Sequence, residues 1–155
     1  MRAAFFDLKL DRAFDYRTTL LDLVDRHRAG GDLLVLVVTE YRTATRGLAP
    51  PVDRDPLRIG PDVVLVMDPL ADLTGSPPVT VIEAIARLGL DPARCFGYAD
   101  HEDGLRTLTV VGNPRVFGDD HRLAEVAGDR GWPRLEFSGP SGNPARPPEP
   151  VPPAP

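Results

Sequence analysis

The chain has 155 residues, 23 acidic against 18 basic, and a formal net charge of −5. That length suits one domain with a real core, and the acidic balance, with no basic stripe interleaved with aromatics, argues against nucleic acid as a partner. The longest apolar run, Leu33 to Val38, is too short to span a bilayer, Cys95 has no second cysteine to pair with, and no basic-then-apolar leader opens the chain; a cytoplasmic protein is expected.

Taken in chain order, "AAFFDL" from Ala3 to Leu8 is a short apolar run that predicts a buried strand ending at Asp7. Thr18 and Thr19 then precede a stretch in which Leu20, Leu21, Val24 and His27 recur at helical spacing, so a Thr-capped helix is expected, stopped by Gly30 and Gly31. "DLLVLVVT" is a continuous Val- and Leu-rich run, as expected of a strand covered on both faces, and it ends at Thr39. Residues 40–61 hold four prolines and no sustained periodicity, which predicts a long loop with one helical turn near Arg42–Gly47. Another apolar run, Val63 to Asp68, is a further strand, and "PPVTVIEAIARLG" is a helix with Val81, Ile85 and Leu88 on one face. "RCFGYAD" is a strand that stops at Asp100, "GDDHRLAEVAGDRG" a helix opened by Asp119 or Asp120, and "RLEF" a last strand. The tail, Ser138 to Pro155, is Pro-rich with almost no apolar side chains, and its composition predicts disorder or polyproline-like chain.

Strands alternating with helices, the strands fully apolar, imply a three-layer, Rossmann-like, mainly parallel sheet with helices on both faces over residues 1–137. Ligands bind such sheets beyond the carboxyl ends of the strands. Three strands end there in polar groups, Asp7, Thr39 and Asp100.

At these residues the chain resembles the haloacid dehalogenase-like (HAD) superfamily, in its phosphoserine-phosphatase-like branch. "FFDL" is similar to that branch's nucleophile strand, "VLVVT" to its phosphate-binding strand, "DPLADLTGSPP" to the stretch after its second motif, and Cys95 to Phe137 to its C-terminal end. The resemblance implies an HAD-like fold, Asp7 as the nucleophile that accepts a phosphoryl group, Thr39 as the phosphate-binding hydroxyl, and Asp7 and Asp100 as ligands of Mg²⁺, with Asp103 or Glu102 as a substitute for a further acid of the last motif. A carboxylate attacking phosphorus needs such a cation, because two anions otherwise repel. The substrate implied is a small phosphorylated metabolite.

The chain also departs from that pattern. Where the branch carries a second aspartate, two residues after the nucleophile, stands Lys9, the single lysine of the protein. No Lys or Arg occurs from Ser76 to Ala86, where the branch has a lysine, and Gly104 stands where a second acid of the last motif is expected. The spacing from Asp7 to Thr39 leaves no room for a cap domain. Losing general acid–base help costs roughly 10²–10⁴ in rate, and losing a preorganised charge roughly 10²–10³, so phosphatase activity is expected to be weak or lost. The alternative is a non-catalytic binding or regulatory domain with an unknown protein partner. Lys9 also suggests a built-in cation that bridges Asp7 and Asp100 and takes the metal's place; the plainer reading is a lysine that reaches solvent at a strand end. His101 reads as a surface histidine, His27 as half-buried packing, and Cys95 as a small buried hydrophobe.

Overall fold

The computed structural model describes residues 2–41, 46–68 and 80–135. Among the described residues, seven strands form one sheet: β1 (Ala3–Asp7), β2 (Leu33–Thr39), β3 (Gly47–Ala49), β4 (Val63–Met67), β5 (Phe96–Ala99), β6 (Asn113–Phe117) and β7 (Arg134–Leu135). Their spatial order is β3-β4-β2-β1-β5-β6-β7, and every pairing is parallel except that of β3 with β4. The chain winds outward from β1 through β2 to β4, crosses back to β5, and winds outward again to β7. The topological switch therefore falls at the end of β1, where a crevice opens between diverging connections.

The registers explain the layering. Ala4 pairs with Leu34 and Phe96, and Phe6 with Leu36 and Tyr98. These residues face one side, where they pack with Leu20, Leu23 and Val24 of helix α2 (Arg17–Ala29). Phe5 and Val35 face the other side, where they meet Val81, Ala84 and Ile85 of helix α3 (Val81–Arg87). Ala99 and Val116 are covered on that same side by helix α4 (Leu105–Leu108) and helix α5 (His121–Arg130), through Leu108, Leu123 and Ala127. Because side chains alternate along a strand, Asp7 and Thr39 share the α3/α4 side with Phe5 and Val37.

Helix signals are partly where the sequence puts them. Thr80 caps α3 by accepting from the Glu83 N–H at 3.1 Å, and Asp120 caps α5 by accepting from Leu123 at 2.9 Å. Gly131 closes α5 in the left-handed conformation, φ 71°, which glycine adopts at little cost. Elsewhere the expectation fails. Thr18 and Thr19 cap nothing: they lie inside α2, which begins at Arg17 straight after helix α1 (Leu10–Ala13) and a 3₁₀ turn over Phe14–Tyr16. Residues 40–61 are not all loop either. Leu48 alternates with the buried Ala49, and Gly47–Ala49 adds an antiparallel edge strand beside Leu65. Of the helical turn expected near Arg42–Gly47, residues 42–45 lie outside the described residues and Gly47 instead opens β3; the motif stretch after Asp68 and the Pro-rich tail also lie outside them. No helix among the described residues is long and apolar enough to cross a membrane.

Candidate functional site

The three adjacent central strands, β2, β1 and β5, deliver Thr39, Asp7 and Asp100 to one end of the sheet. Asp7 is 1% exposed, and a carboxylate that deep must be compensated. The compensation comes from α4. Arg106 Nε donates to Asp7 Oδ2 at 2.9 Å and its NH2 group donates to Asp7 Oδ1 at 3.0 Å. That fork-to-carboxylate geometry is among the strongest pairings available to side chains. The same NH2 group lies 3.0 Å from Thr39 Oγ1, to which it also donates. Thr107, the next residue, donates its hydroxyl to Asp7 Oδ2 at 2.8 Å. One guanidinium thus ties the ends of β1 and β2 to the helix that follows β5.

Asp100, also buried, is engaged on both oxygens. The backbone N–H of Lys9 donates to Oδ1 at 2.7 Å, and the Tyr16 hydroxyl donates to Oδ2. Burial pushes the Asp100 carboxyl up, with these two donors opposing it. Burial pushes Asp7 up as well, but His101 and Arg106 outweigh it and hold Asp7 below the ordinary carboxylate range.

His101 is buried and not at the surface. Its Nε2 lies 3.4 Å from Asp7 Oδ1 and 4.0 Å from Asp100 Oδ1, yet it makes no aligned hydrogen bond. Burial pulls its basicity down, and Asp7, Asp100 and Asp103 more than reverse this, so its pKa is raised.

The Lys9 bridge expected from the sequence is not what the structure holds. The Lys9 side chain is exposed, and only its backbone reaches Asp100. The physical reason is the turn of chain. Lys9 sits at the N-cap of α1, its carbonyl accepting from Arg12 at 2.9 Å and Ala13 at 3.0 Å, which aims the peptide at the crevice while the side chain stays in solvent. The cation on Asp7 is Arg106. Asp103 is turned outward, its side chain 76% exposed, so it does not join Asp7 and Asp100.

Gly104, where a second acid was expected, has no room for any side chain. A Cβ there would lie 2.3 Å from Ala99 Cβ. The 3₁₀ turn over Glu102–Gly104 packs directly onto β5, and this close approach is what brings Arg106 and Thr107 to Asp7. Sequence reasoning missed Arg106, Thr107, Tyr16 and the burial of His101. One signal was present: a buried Asp7 with no Lys or Arg from Ser76 to Ala86 demands a cation from elsewhere, and Arg106 stands one turn beyond the Asp100 cluster.

Beside the crevice lies a cavity of about 810 Å³, bordered by Arg12, Tyr16, Asp100, Asp119 and Arg134. Among the described residues, no group of three or more His, Cys, Asp or Glu side chains is gathered in a way that holds a metal ion.

Fold and site together define a three-layer α/β domain with a polar pocket at its topological switch point. No family model matches the chain. The "Inhibition of morphological differentiation protein" of Streptomyces azureus is 38% identical over 65 residues, which is 39% of this chain and 24% of that protein. The chain thus spans about a quarter of the length of that curated relative. A solved structure of a protein of unknown function from Bordetella pertussis Tohama I matches with a TM-score of 0.55 at 23% identity, covering 77% of this chain and 57% of that one. A second, from Streptomyces avermitilis MA-4680 and described as a candidate HAD family hydrolase, matches with a TM-score of 0.49 at 15% identity, covering 88% of this chain and 76% of that one. The Bordetella likeness is one of fold.

Proposed function

We propose that this chain is a HAD-like domain in which the phosphatase pocket has become a closed ion-pair network, so that it acts as a non-catalytic binding or regulatory domain. The resemblance of "FFDL", "VLVVT" and Cys95 to Phe137 to the HAD branch supports the lineage. One observation carries the loss of chemistry: both oxygens of Asp7 are engaged by Arg106, and the carboxylate is 1% exposed. A nucleophile needs a free lone pair and an approach path for the electrophile. Asp7 has its lone pairs in hydrogen bonds with Arg106 and Thr107 and almost no accessible surface.

A second reading, a slow phosphomonoester hydrolase acting through an aspartyl-phosphate on Asp7, is favoured by the convergence of Asp7, Thr39 and Asp100 on one crevice. In that reading Arg106 swings clear when a small phosphorylated metabolite enters. The test is hydrolysis of an aryl phosphate at high protein concentration, with Mg²⁺, Mn²⁺, Co²⁺ or EDTA, beside Asp7→Asn. Turnover equal in the two proteins is expected. Turnover that disappears in Asp7→Asn establishes the hydrolase instead.

A further inference from the structure

We infer that Arg106, joined to both Asp7 and Thr39, is the resident cation of this pocket, that the carboxylates left there do not fit a divalent metal, and that the Asp7 site is therefore metal-independent. The inference deepens the reading above by naming what closes the pocket.

The donor set is the first ground. Magnesium requires near-octahedral oxygen coordination. Here Asp7 Oδ1 receives Arg106 NH2 and faces His101 Nε2, while Asp7 Oδ2 receives Arg106 Nε and Thr107 Oγ1. Asp100 gives one oxygen to the Lys9 N–H and the other to the Tyr16 hydroxyl. Every carboxylate oxygen that a metal would use already meets a hydrogen on nitrogen or oxygen.

Steric closure is the second ground. The position that would supply another acid, Gly104, has Ala99 Cβ 2.3 Å from where its own Cβ would be. Asp103, next to it, points to solvent. The third ground is charge. A guanidinium stays protonated throughout the accessible pH range, so Arg106 gives Asp7 a permanent counterion. His101 Nε2, buried and without a hydrogen-bond partner, is aimed between Asp7 and Asp100. Three side-chain nitrogens, two from Arg106 and one from His101, thus face the carboxylates from the protein side, and the Arg106 fork extends to Thr39. The guanidinium reaches both the carboxylate and the hydroxyl that would flank a phosphate.

The experiment is Mn²⁺ titration of the full chain, read by electron paramagnetic resonance, together with melting in Mg²⁺, for wild type, Arg106→Lys and Arg106→Met. Wild type is expected to leave the free Mn²⁺ signal unchanged and its Tm unmoved. A metal bound at 100 times its Kd would raise Tm by about 5–10 °C in a domain of this size. Arg106→Lys keeps a cation and is expected to stay insensitive. Arg106→Met strands a buried carboxylate and is expected to acquire a Tm that rises with Mg²⁺.

Binding of Mn²⁺ by wild type overturns the inference. So does an Arg106→Met variant that folds and ignores both metals. If Arg106→Met does not fold, the wild-type titration decides alone. Metal binding without turnover ends this inference and leaves the binding-domain reading standing; turnover without metal binding does the reverse.

Discussion

Two Arg–Asp–His clusters occupy opposite ends of the same central strands. At the N-terminal end, Arg2 and Asp32 precede β1 and β2, and His27 comes from the last turn of α2. Asp32 takes Arg2 on one oxygen and His27 Nδ1 on the other, the latter at 2.8 Å, and His27 Nε2 meets the Tyr98 hydroxyl at 2.6 Å. With Asp32 as acceptor, Nδ1 carries the proton and the Tyr98 hydroxyl donates to Nε2. Both ring nitrogens are satisfied, and the ring lies edge-on to Phe96 and Tyr98. At the C-terminal end Arg106 and Asp7 are as well joined, but His101 Nε2 is left without an aligned partner. The first cluster is complete as structure, which is the usual state of buried polar groups. The second is complete in its arginine and incomplete in its histidine, at the end of the sheet where ligands bind. The same three residue types therefore close a fully bonded cluster at one end and leave one buried histidine nitrogen unsatisfied at the other.

The largest expected effect separates the two arginines. Arg106→Met takes the bidentate cation from the buried Asp7 and leaves it the Thr107 hydroxyl and the unaligned His101, and loss of one partner of such a buried pair costs about 3–5 kcal/mol. Arg2→Met should cost less, because Asp32 keeps His27. Urea unfolding of both variants measures the difference, and equal losses would erase the distinction between the clusters.

Next in size is Tyr98→Phe. It removes the donor to His27 Nε2 and strands a buried nitrogen, at a cost of about 1–3 kcal/mol. The variant turns the complete cluster into a copy of the incomplete one. A Tyr98→Phe protein as stable as wild type in urea would mean that the contact adds nothing.

The histidines should also respond to pH in opposite directions. Burial holds the His27 pKa below its ordinary value, and the Arg2 and Arg115 cations act the same way, against the opposing pull of Asp32. Its stabilisation is therefore full above the ordinary histidine pKa of about 6.5 and is lost as pH falls through the lowered folded value. The His101 pKa is raised, so its contribution is full below about 6.5 and is lost as pH rises through the raised value. Urea midpoints between pH 5 and 8 for wild type, His27→Gln and His101→Gln isolate each term. The wild type minus His27→Gln difference should grow with pH, and the His101→Gln difference should shrink.

The smallest effect belongs to Lys9. Its side chain is exposed and its backbone does the work at Asp100, so Lys9→Ala should change stability by no more than about 0.5 kcal/mol. A loss as large as that of Arg106→Met would restore the lysine bridge.

What the sequence makes legible follows from the range of the interactions. β1, β2, β4 and β5 read directly, because strands buried on both faces are continuous apolar runs. Their ends place Asp7, Thr39 and Asp100 without further information. Gly47–Ala49 does not read, since three residues carry no period and their pairing with β4 is decided by the sheet edge. Nor does Arg106, which lies on the four-residue helix α4 and reaches across 99 positions of sequence to Asp7. On local pattern it is indistinguishable from any solvated arginine. His101 shows the same limit: it borders the exposed Glu102 and Asp103, yet the fold buries it beside Asp7 and Asp100.

The central claim is that Arg106 is the counterion of Asp7. A double-mutant cycle with Asp7→Asn and Arg106→Met, read by urea unfolding at neutral pH, tests it most directly. The expected coupling energy is about 2 kcal/mol or more, at the upper end of what contacting residues show. Strictly additive losses would contradict it, and would mean that the carboxylate draws its compensation from another cation.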